Sequence, residues 1–563
     1  MQNAALSRVF DEIADYLELA GENSFKIRAY RRASEAIIDY PAPIESALEN
    51  GQIDQIEGLG PATIAKSREF LATGRVKLLE FHKSKYPSGL LDVLRVPGLG
   101  PKKVALLYKE KGIDSLESFA QALEDGQLND VAGFGPKTLE NLKTNLRRLS
   151  ELSARMPITT ALPLANKILA GLREKLPETH IEIAGSLRRG CDTIGNLNFV
   201  AKADDAAPVL AAFEDLGIVM EITTREENRL VGRAAPGIEV EMVVAPPENF
   251  GSTLFLRSGS QSHLQSPPCP IDINEVCEDH DLSLRFSNEE WFYRKSGCDF
   301  IAPELREDRG EWAAAKAGKL PDLLTVKQIR GDLHTHSTWS DGIGSIRQMC
   351  ELARARGYEY YAITDHSKVL AMANGLNAER LKQQAQEIAE IQADFPELKI
   401  LRGIECDIMR DGTMDLDDET LSQLDIVVGS VHSGFNLPLA EQTARMVRAI
   451  ENPHVDLIGH PTGRILGARA PYDVDVFALI EAAKAHGKAL EINASERLDL
   501  KDEHAYAARE AGVLLCINTD AHSPKMLDNL SYGVVTARRA WCEAKDVLNA
   551  KPLAELLQWL SHK

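Results

Sequence analysis

Nine His, Asp and Glu side chains recur at one kind of place from residue 328 onward. Each closes, or closely follows, a short apolar run. GDLHTHSTWSDG carries His334, His336 and Asp341, and YYAITDH ends at His366. LKILRGIE ends at Glu405, LDIVVGSVH at His432 and VDLIGH at His460, while LLCINTDAH supplies Asp520 and His522. His334 and His336 are two apart on an extended segment, so they share a face. Imidazoles and carboxylates together suit Zn, Mn or Fe, and nine ligands exceed what one ion needs. Two or three divalent ions sharing carboxylates could hold phosphate oxygens and generate hydroxide near neutral pH. No Ser, Cys or Lys nucleophile is then required.

Such residues must be brought together by elements that end on one side. Residues 328–563 alternate short apolar strands with helical segments such as AERLKQQAQEIAEIQ and VFALIEAAKAHG. This is the rhythm of a β/α barrel, whose strand ends gather on one face. Upstream, 155–250 alternates helix and strand, and APELREDRGEWAAAKAGKLPDLLT reads as a charged connector.

Residues 1–150 read as helices separated by three similar turns: IEGLGPATIAKS, VPGLGPKKVALL and VAGFGPKTLENL. In each, a G-x-G-P core precedes a helix. Glycine permits the tight turn and proline suits the first helical position. Backbone N–H groups at such a helix start form a phosphate site. Gly58, Gly60, Gly98, Gly100, Gly133 and Gly135, with Lys102, Lys103 and Lys137, are therefore expected to contact a DNA backbone.

The chain of 563 residues is too long for one core, and its composition is that of a globular protein. Its net charge of −20 argues for weak, salt-sensitive DNA binding, although acid and base nearly balance in residues 1–150. No apolar stretch has the length of a membrane helix, and the polar, acidic start does not read as a signal peptide. The eight cysteines form no CxxC pair, which fits reduced thiols in a cytoplasm.

The ordered HxH, TDH, GHP and DAH motifs resemble the PHP (polymerase and histidinol phosphatase) domain, and all nine positions of that family's ligand pattern are filled. The resemblance implies a distorted, TIM-like β/α barrel, here with seven strands, holding three divalent metals. It implies supporting roles for Asp365, Arg464 and Asn493.

Over essentially its full length the chain resembles a bacterial family X DNA polymerase with a C-terminal PHP domain. This implies a multidomain α/β protein. Residues 1–85 would form a helical lyase-type DNA-end-binding domain and 86–152 helix-hairpin-helix fingers. Residues 153–248 would form a nucleotidyltransferase-like palm, 249–325 a thumb and linker, and 326–563 the PHP domain. GSLRRG at 185–190 resembles the family's nucleotide turn, placing Gly185, Ser186 and Arg189 at nucleotide-contacting positions. In KSREFLATG, Lys66 stands where some members keep a Schiff-base lysine, a role that needs a lowered pKa. A phosphate-contacting or solvated lysine is the alternative.

The polymerase centre departs from the pattern. Where the family has G-D-x-D, this chain has Gly195-Asn196-Leu197-Asn198, and the third family Asp is matched by Glu241. Two Mg ions need charged oxygen ligands, and an amide carbonyl is neutral. The aromatic pair before the family's T-G-S turn is replaced by Leu256-Arg257. Mg or Mn binding at the palm is therefore doubtful, and polymerisation is expected to be weak or lost.

The expected function is 3′→5′ DNA exonuclease activity, with abasic-site or 3′-phosphate processing, on gapped, nicked or 3′ ends of DNA. A palm of this type would also take dNTP; no protein partner and no membrane are implied. Rival readings are an active, proofreading polymerase, a phosphatase for small phosphomonoesters, and a DNA-binding scaffold with structural metals.

Overall fold

The computed structural model describes residues 2–561 except 39, 41–43, 57, 95, 97, 132, 154, 235–236, 267–284 and 371–372. The chain divides into two compact units, Met1–Glu151 and Leu152–Lys563.

The first unit is helical. Its three G-x-G-P turns share one geometry. Gly58, Gly98 and Gly133 have φ of +94°, +93° and +86°, where a side chain would be strained. The residue between the glycines closes each turn through its backbone: Leu59 N–H to Ile56 O, Leu99 N–H to Val96 O, Phe134 N–H to Val131 O. Leu99 and Phe134 are buried in the unit's core and Leu59 packs against it. Gly60 and Gly100 are extended caps, and Pro61 and Pro101 begin the helices Pro61–Thr73 and Pro101–Lys111.

The second unit opens with a mixed five-stranded sheet. Its strand order is His180–Ala184, Asn196–Lys202, Ile238–Ala245, Arg229–Ala234 and Val219–Arg225. Only the Asn196–Lys202 and Ile238–Ala245 pair is parallel, and its register sets Asn198 beside Glu241. The helix Ile158–Lys175 covers this sheet with Ala161, Ala165, Ile168 and Leu172 inward.

The segment expected as a charged connector is instead tightly packed. Two of its charges are internal: Arg306 is fully buried against Glu289 at 2.5 Å, and Glu311 is fully buried against His263 at 2.6 Å. Trp312 stacks on His263, with ring centroids 4.8 Å apart. Paired charges and stacked rings let a charge-rich sequence form a core.

Seven parallel strands follow in chain order: β1 (Gly331–Asp332), β2 (Tyr360–Ile363), β3 (Lys399–Asp407), β4 (Ile426–Ser430), β5 (Leu457–Ile458), β6 (Ala489–Asn493) and β7 (Leu515–Asn518). Alternation divides their side chains. Tyr360, Ala362, Leu401, Val428, Leu457, Ala489 and Cys516 fill one core, while Tyr361, Ile363, Ile400, Val427, Ile458 and Leu490 fill another. Leu556 and Leu560 of the last helix, Leu553–Leu560, close the first of these cores.

The seam between the first and last strands is bridged at both ends. Past the strand ends, His336 N–H donates to Ala521 O at 2.9 Å and Asp520 N–H to His334 O at 3.0 Å. At the other end, Asn549 Nδ2 donates to Gly331 O and Ile517 O. The chain thus forms the nearly closed seven-stranded barrel expected from the sequence, with the carboxyl ends of all strands on one side. Among the described residues, no helix is long and apolar enough to cross a membrane.

Candidate metal centre

The closed seam and the parallel strands bring all nine ligand candidates together. Glu405, at the end of β3, stands at the middle. Its carboxylate lies 3.3 Å from His334 Nε2, 3.6 Å from His336 Nε2 and 2.7 Å from His366 Nδ1. It also lies 3.2 Å from His432 Nε2 and 3.0 Å from His460 Nε2. Asp520 meets His336 at 3.0 Å and both His334 and His522 at 3.6 Å. Asp341 meets His522 at 3.4 Å and His366 at 3.6 Å. His334, Glu405 and His460 are fully buried, whereas Asp341 and His522 are about one-third exposed and form the open side.

These atoms form three overlapping ligand groups: His336, Asp341, His366 and His522; His334, His336 and Asp520; and His366, Glu405 and His432. His336 and His366 are each shared by two groups, and His460 joins through Glu405. The buried atoms His334 Nε2, His366 Nδ1 and Glu405 Oε2 have no hydrogen-bond partner within the protein. Lone pairs that converge at contact distance without directed hydrogen bonds fit a bridged set of divalent ions.

Electrostatics supports the same fit. Burial opposes charge throughout, yet Glu405 and Asp520 stay ionised, well below the ordinary carboxyl range, because imidazoles crowd them. Burial likewise opposes the charge of His432, but Glu405 and Asp407 push it up to about 10. His336 is driven the other way, to about 3, by burial and by the charges of His522 and His366. The carboxylates retain protons on neighbouring rings, and metal binding would displace them.

Further residues orient the cluster. Glu491 accepts from the His460 N–H at 2.7 Å and from Asn493 Nδ2 at 3.0 Å, and it pairs with His334 Nδ1 at 2.8 Å. Asp407 faces His432 Nδ1 at 3.3 Å. Neither stood out in the sequence, because each shares its strand with a polar residue, Asn493 or Glu405, that drew the reading first. The signal available was strand parity: Glu491 is two residues before Asn493 and Asp407 two after Glu405. Arg497 was also missed; its Nε lies 3.7 Å from Asp520 Oδ2, and its Nη1 is buried without a partner.

The supporting residues expected from the family divide. Asn493 Nδ2 donates to Asp520 Oδ2 at 3.1 Å. The Asp365 carbonyl accepts from the Glu405 backbone N–H at 3.1 Å, while its carboxylate turns away from the ligand side chains. The carboxylate accepts from Ser337, Ser340 and Gln384, which fixes the loop leading to Asp341. Arg464 does not support the cluster directly; its guanidinium turns to Leu498 O and Asp192.

Asn196, Asn198 and Glu241, expected to form a palm site, are engaged by neighbouring side chains. Asn198 Nδ2 donates to Asn196 Oδ1 at 3.1 Å, and Asn198 Oδ1 is buried without a partner. Glu241 is clamped by Arg229 at 2.5 Å and by Arg257 at 3.0 Å. Gly185 has φ of +66° and packs so closely on Asn198 that an added Cβ would fall 2.4 Å from its Nδ2. Ser186 is half-buried in the same turn. Arg189 differs from its expected nucleotide-contacting role: it pairs with Glu307 at 2.9 Å and donates to Ser258 O at 2.8 Å. Two amides and one doubly neutralised carboxylate do not fit a pair of Mg ions.

In the first unit, Lys66 Nζ lies 3.1 Å from Glu69, so its amine is ion-paired and not set in an apolar pocket. Lys103 Nζ reaches Gly98 O and lies 5.4 Å from the centre of the Phe134 ring, bridging the second and third turns. Lys102 and Lys137 are exposed, as are Gly133 and Gly135. The Gly60 N–H is taken by Thr63 Oγ1 at 2.9 Å, so the first turn differs from the free-donor expectation.

Comparison with known proteins matches residues 1–76 to a helix-hairpin-helix domain, 90–148 to a SAM-like helix-hairpin-helix tandem, and 332–495 to the PHP domain. The DNA polymerase/3′-5′ exonuclease PolX of Bacillus subtilis (strain 168) is 38% identical over 571 residues, covering 100% of this chain and 99% of the relative. A probable phosphatase of Thermoanaerobacter sp. (strain X514) is 31% identical over 34% of this chain and 78% of its own length. A probable phosphatase of Shewanella sp. (strain MR-4) is 30% identical over 41% of this chain and 91% of its own length. With helix-hairpin-helix matches toward one end of the sequence, a PHP match toward the other and a relative 38% identical over essentially the full length of both chains, the chain belongs to the PolX family of PHP-containing family X DNA polymerases/3′-5′ exonucleases.

Proposed function

We propose that this chain is a DNA-processing metallohydrolase of the PolX family whose palm no longer supports efficient polymerisation. The observation that carries the hydrolytic reading is Glu405, in contact with five imidazoles at the closed end of a cluster that Asp341 and His522 leave open. His334, His336, Asp341, His366, Glu405, His432, His460, Asp520 and His522 would hold two or three divalent ions, Zn, Mn or Fe. Bound there, such ions supply Lewis-acid polarisation of a phosphoryl group and lower the pKa of water.

The protein's own groups do the positioning. Glu491 and Asp407 fix the rings of His334 and His432, as outer partners of metal-ligating imidazoles do. Arg497 is a cation beside a cation site, an arrangement that suits an anion between them. It would hold a non-bridging oxygen of the scissile phosphate. The G-x-G-P turns, with Lys102 and Lys137, would hold the DNA backbone at a gap, nick or 3′ end. The substrates proposed are 3′-terminal phosphodiesters, with abasic sites and 3′-phosphates as further targets. In the palm, Arg229 and Arg257 occupy the charge that Mg would need, so dNTP has no metal partner there.

Competition tests this reading against a phosphatase for small esters. The protein is given bis-para-nitrophenyl phosphate with Mn, and single-stranded DNA is added. Inhibition by DNA is the expected result. Hydrolysis untouched by DNA would assign the centre to small phosphoesters instead.

A further inference from the structure

Arg464 lies four residues beyond His460, yet its guanidinium points away from the imidazoles. Its Nε donates to Leu498 O at 3.1 Å and its Nη2 to the same oxygen, while Nη1 donates to Asp192 Oδ2 at 2.8 Å. Asp192 follows the GSLRRG turn of the palm. Leu498 has φ of +42°, a left-handed backbone that a branched side chain adopts only when its surroundings impose it. Its side chain is buried in the palm's apolar core with Ile158, Leu187 and Ile194. The palm thus reaches this barrel residue twice, directly by burial of its side chain and indirectly at its carbonyl, through Asp192 and the barrel's own Arg464.

The grip leads to the metal centre. Next to Leu498, Asp499 accepts from Thr462 N–H and Oγ1–H at 2.9 Å, two residues beyond His460. The Asp499 carbonyl accepts from the Asn493 N–H at 2.5 Å, and Asn493 Nδ2 donates to Asp520. On the other side of Leu498 stands Arg497, beside Asp520.

We infer that the palm is a strut for the hydrolytic centre. Asp192 is a positioning residue that acts through Arg464 and Leu498 to set the segment 493–499, and with it Arg497 and the His460–Asp520 side. This rests on the hydrolytic reading above. It gives a palm that has lost its metal ligands a continuing role.

The test compares the full-length wild type with Asp192→Ala, Asp192→Glu and Glu304→Ala. Glu304 pairs with Arg538 at 2.7 Å, another contact to the barrel, and has no hydrogen bond to 493–499, so it controls for general loosening. Hydrogen exchange of the peptide 490–502 is read in metal-free protein, and kcat and KM for bis-para-nitrophenyl phosphate with Mn. Asp192→Ala should speed exchange in that peptide and lower kcat about tenfold, as loss of outer support around metal ligands does. Asp192→Glu should restore both, and Glu304→Ala should change neither. If Asp192→Ala does not fold, Asp192→Asn, which keeps the acceptor oxygen, is read in its place with an intermediate effect expected. Wild-type exchange and kcat in the Asp192 variant, or an equal fall in Glu304→Ala, would overturn the strut. A wild type that hydrolyses no ester would overturn the hydrolytic reading, and the exchange comparison would still decide the strut.

Discussion

Arg257 Nη1 lies 3.0 Å from Glu241 Oε2, the one carboxylate left where the polymerase centre of the family has three. Arg229 holds the other oxygen of the same carboxylate at 2.5 Å. Restoring Asn196→Asp and Asn198→Asp would therefore introduce two carboxylates beside two guanidiniums, and the arginines would compete with Mg for them. In a His334→Ala/His336→Ala background, which removes primer degradation, the double Asp variant should extend a primer little better than its parent. Adding Arg229→Ala and Arg257→Ala should raise extension further. Full recovery in the double variant alone would show that the clamp is not an obstacle.

Glu491 is the outer partner of the His334 ring and also accepts from the backbone N–H of His460. Glu491→Gln keeps the shape but loses the charge that faces His334 Nδ1. Metal affinity or hydrolysis should fall about 10–100-fold, the range typical of such partners. Metal content after dialysis, with rate measured at saturating Mn, separates the two effects. An unchanged variant would remove Glu491 from the account.

Metal removal should destabilise the barrel and spare the helical unit. Ions that bind only the folded state add stability by mass action, about 2.7 kcal/mol at a hundredfold excess over Kd. A chelator should lower the thermal midpoint of the larger unit. Back-titration at pH 8 should release protons, because His432 at about 10 and His522 at about 9 carry them beside Glu405 and Asp520. Metal uptake without proton release would contradict the charge state assigned to the cluster.

Acid should weaken the packed segment around Trp312. Burial opposes ionisation of Glu289, Glu307 and Glu311. Arg306 and Arg188, Arg539 and Arg189, and His263 with backbone N–H groups respectively outweigh it and hold all three carboxyls below their ordinary value. Carboxyls depressed in the fold contribute stability that is complete above about 4.5 and is lost as pH falls through the folded values. His263 is depressed by burial, with Glu311 offsetting only part, so the unfolded chain takes up its proton first, below about 6.5. The thermal midpoint of metal-loaded protein should decline gently from pH 7 to 5 and steeply below. A flat profile from pH 7 to 4 would contradict these assignments. Glu289→Gln leaves Arg306 buried with a neutral partner and should cost about 3–5 kcal/mol.

DNA contact by the first unit can be read from salt dependence. Lys137→Ala should weaken binding evenly across sequences and reduce the slope of log affinity against log salt by about one. Lys103→Ala should act differently, through loss of the bridge to Phe134, and lower stability more than slope. Equal slopes for wild type and Lys137→Ala would place the DNA elsewhere.

The barrel was legible because its chemistry is periodic: each ligand follows an apolar run, and parallel strands put every run's end on one side. Glycines at the G-x-G-P turns were legible for a similar local reason. Other features depend on contacts between distant residues. Arg229 reaches Glu241 across adjacent strands only in one register, and Arg464 meets Asp192 from another part of the fold. Arg306 and Glu311 read as part of a charged connector because their partners, Glu289 and His263, are not neighbours in sequence. Arg189 matched a nucleotide-turn motif, yet the nearby Glu307 claims its guanidinium.

The most direct measurement uses a 5′-labelled primer on a longer template, with full-length protein, Mn and dNTPs, resolved on a sequencing gel. A primer that shortens, and no longer shortens in His334→Ala/His336→Ala, is the expected result and would place hydrolysis in the barrel. A primer that lengthens would mean that Asn196, Asn198 and the clamped Glu241 still support polymerisation, contradicting the central claim.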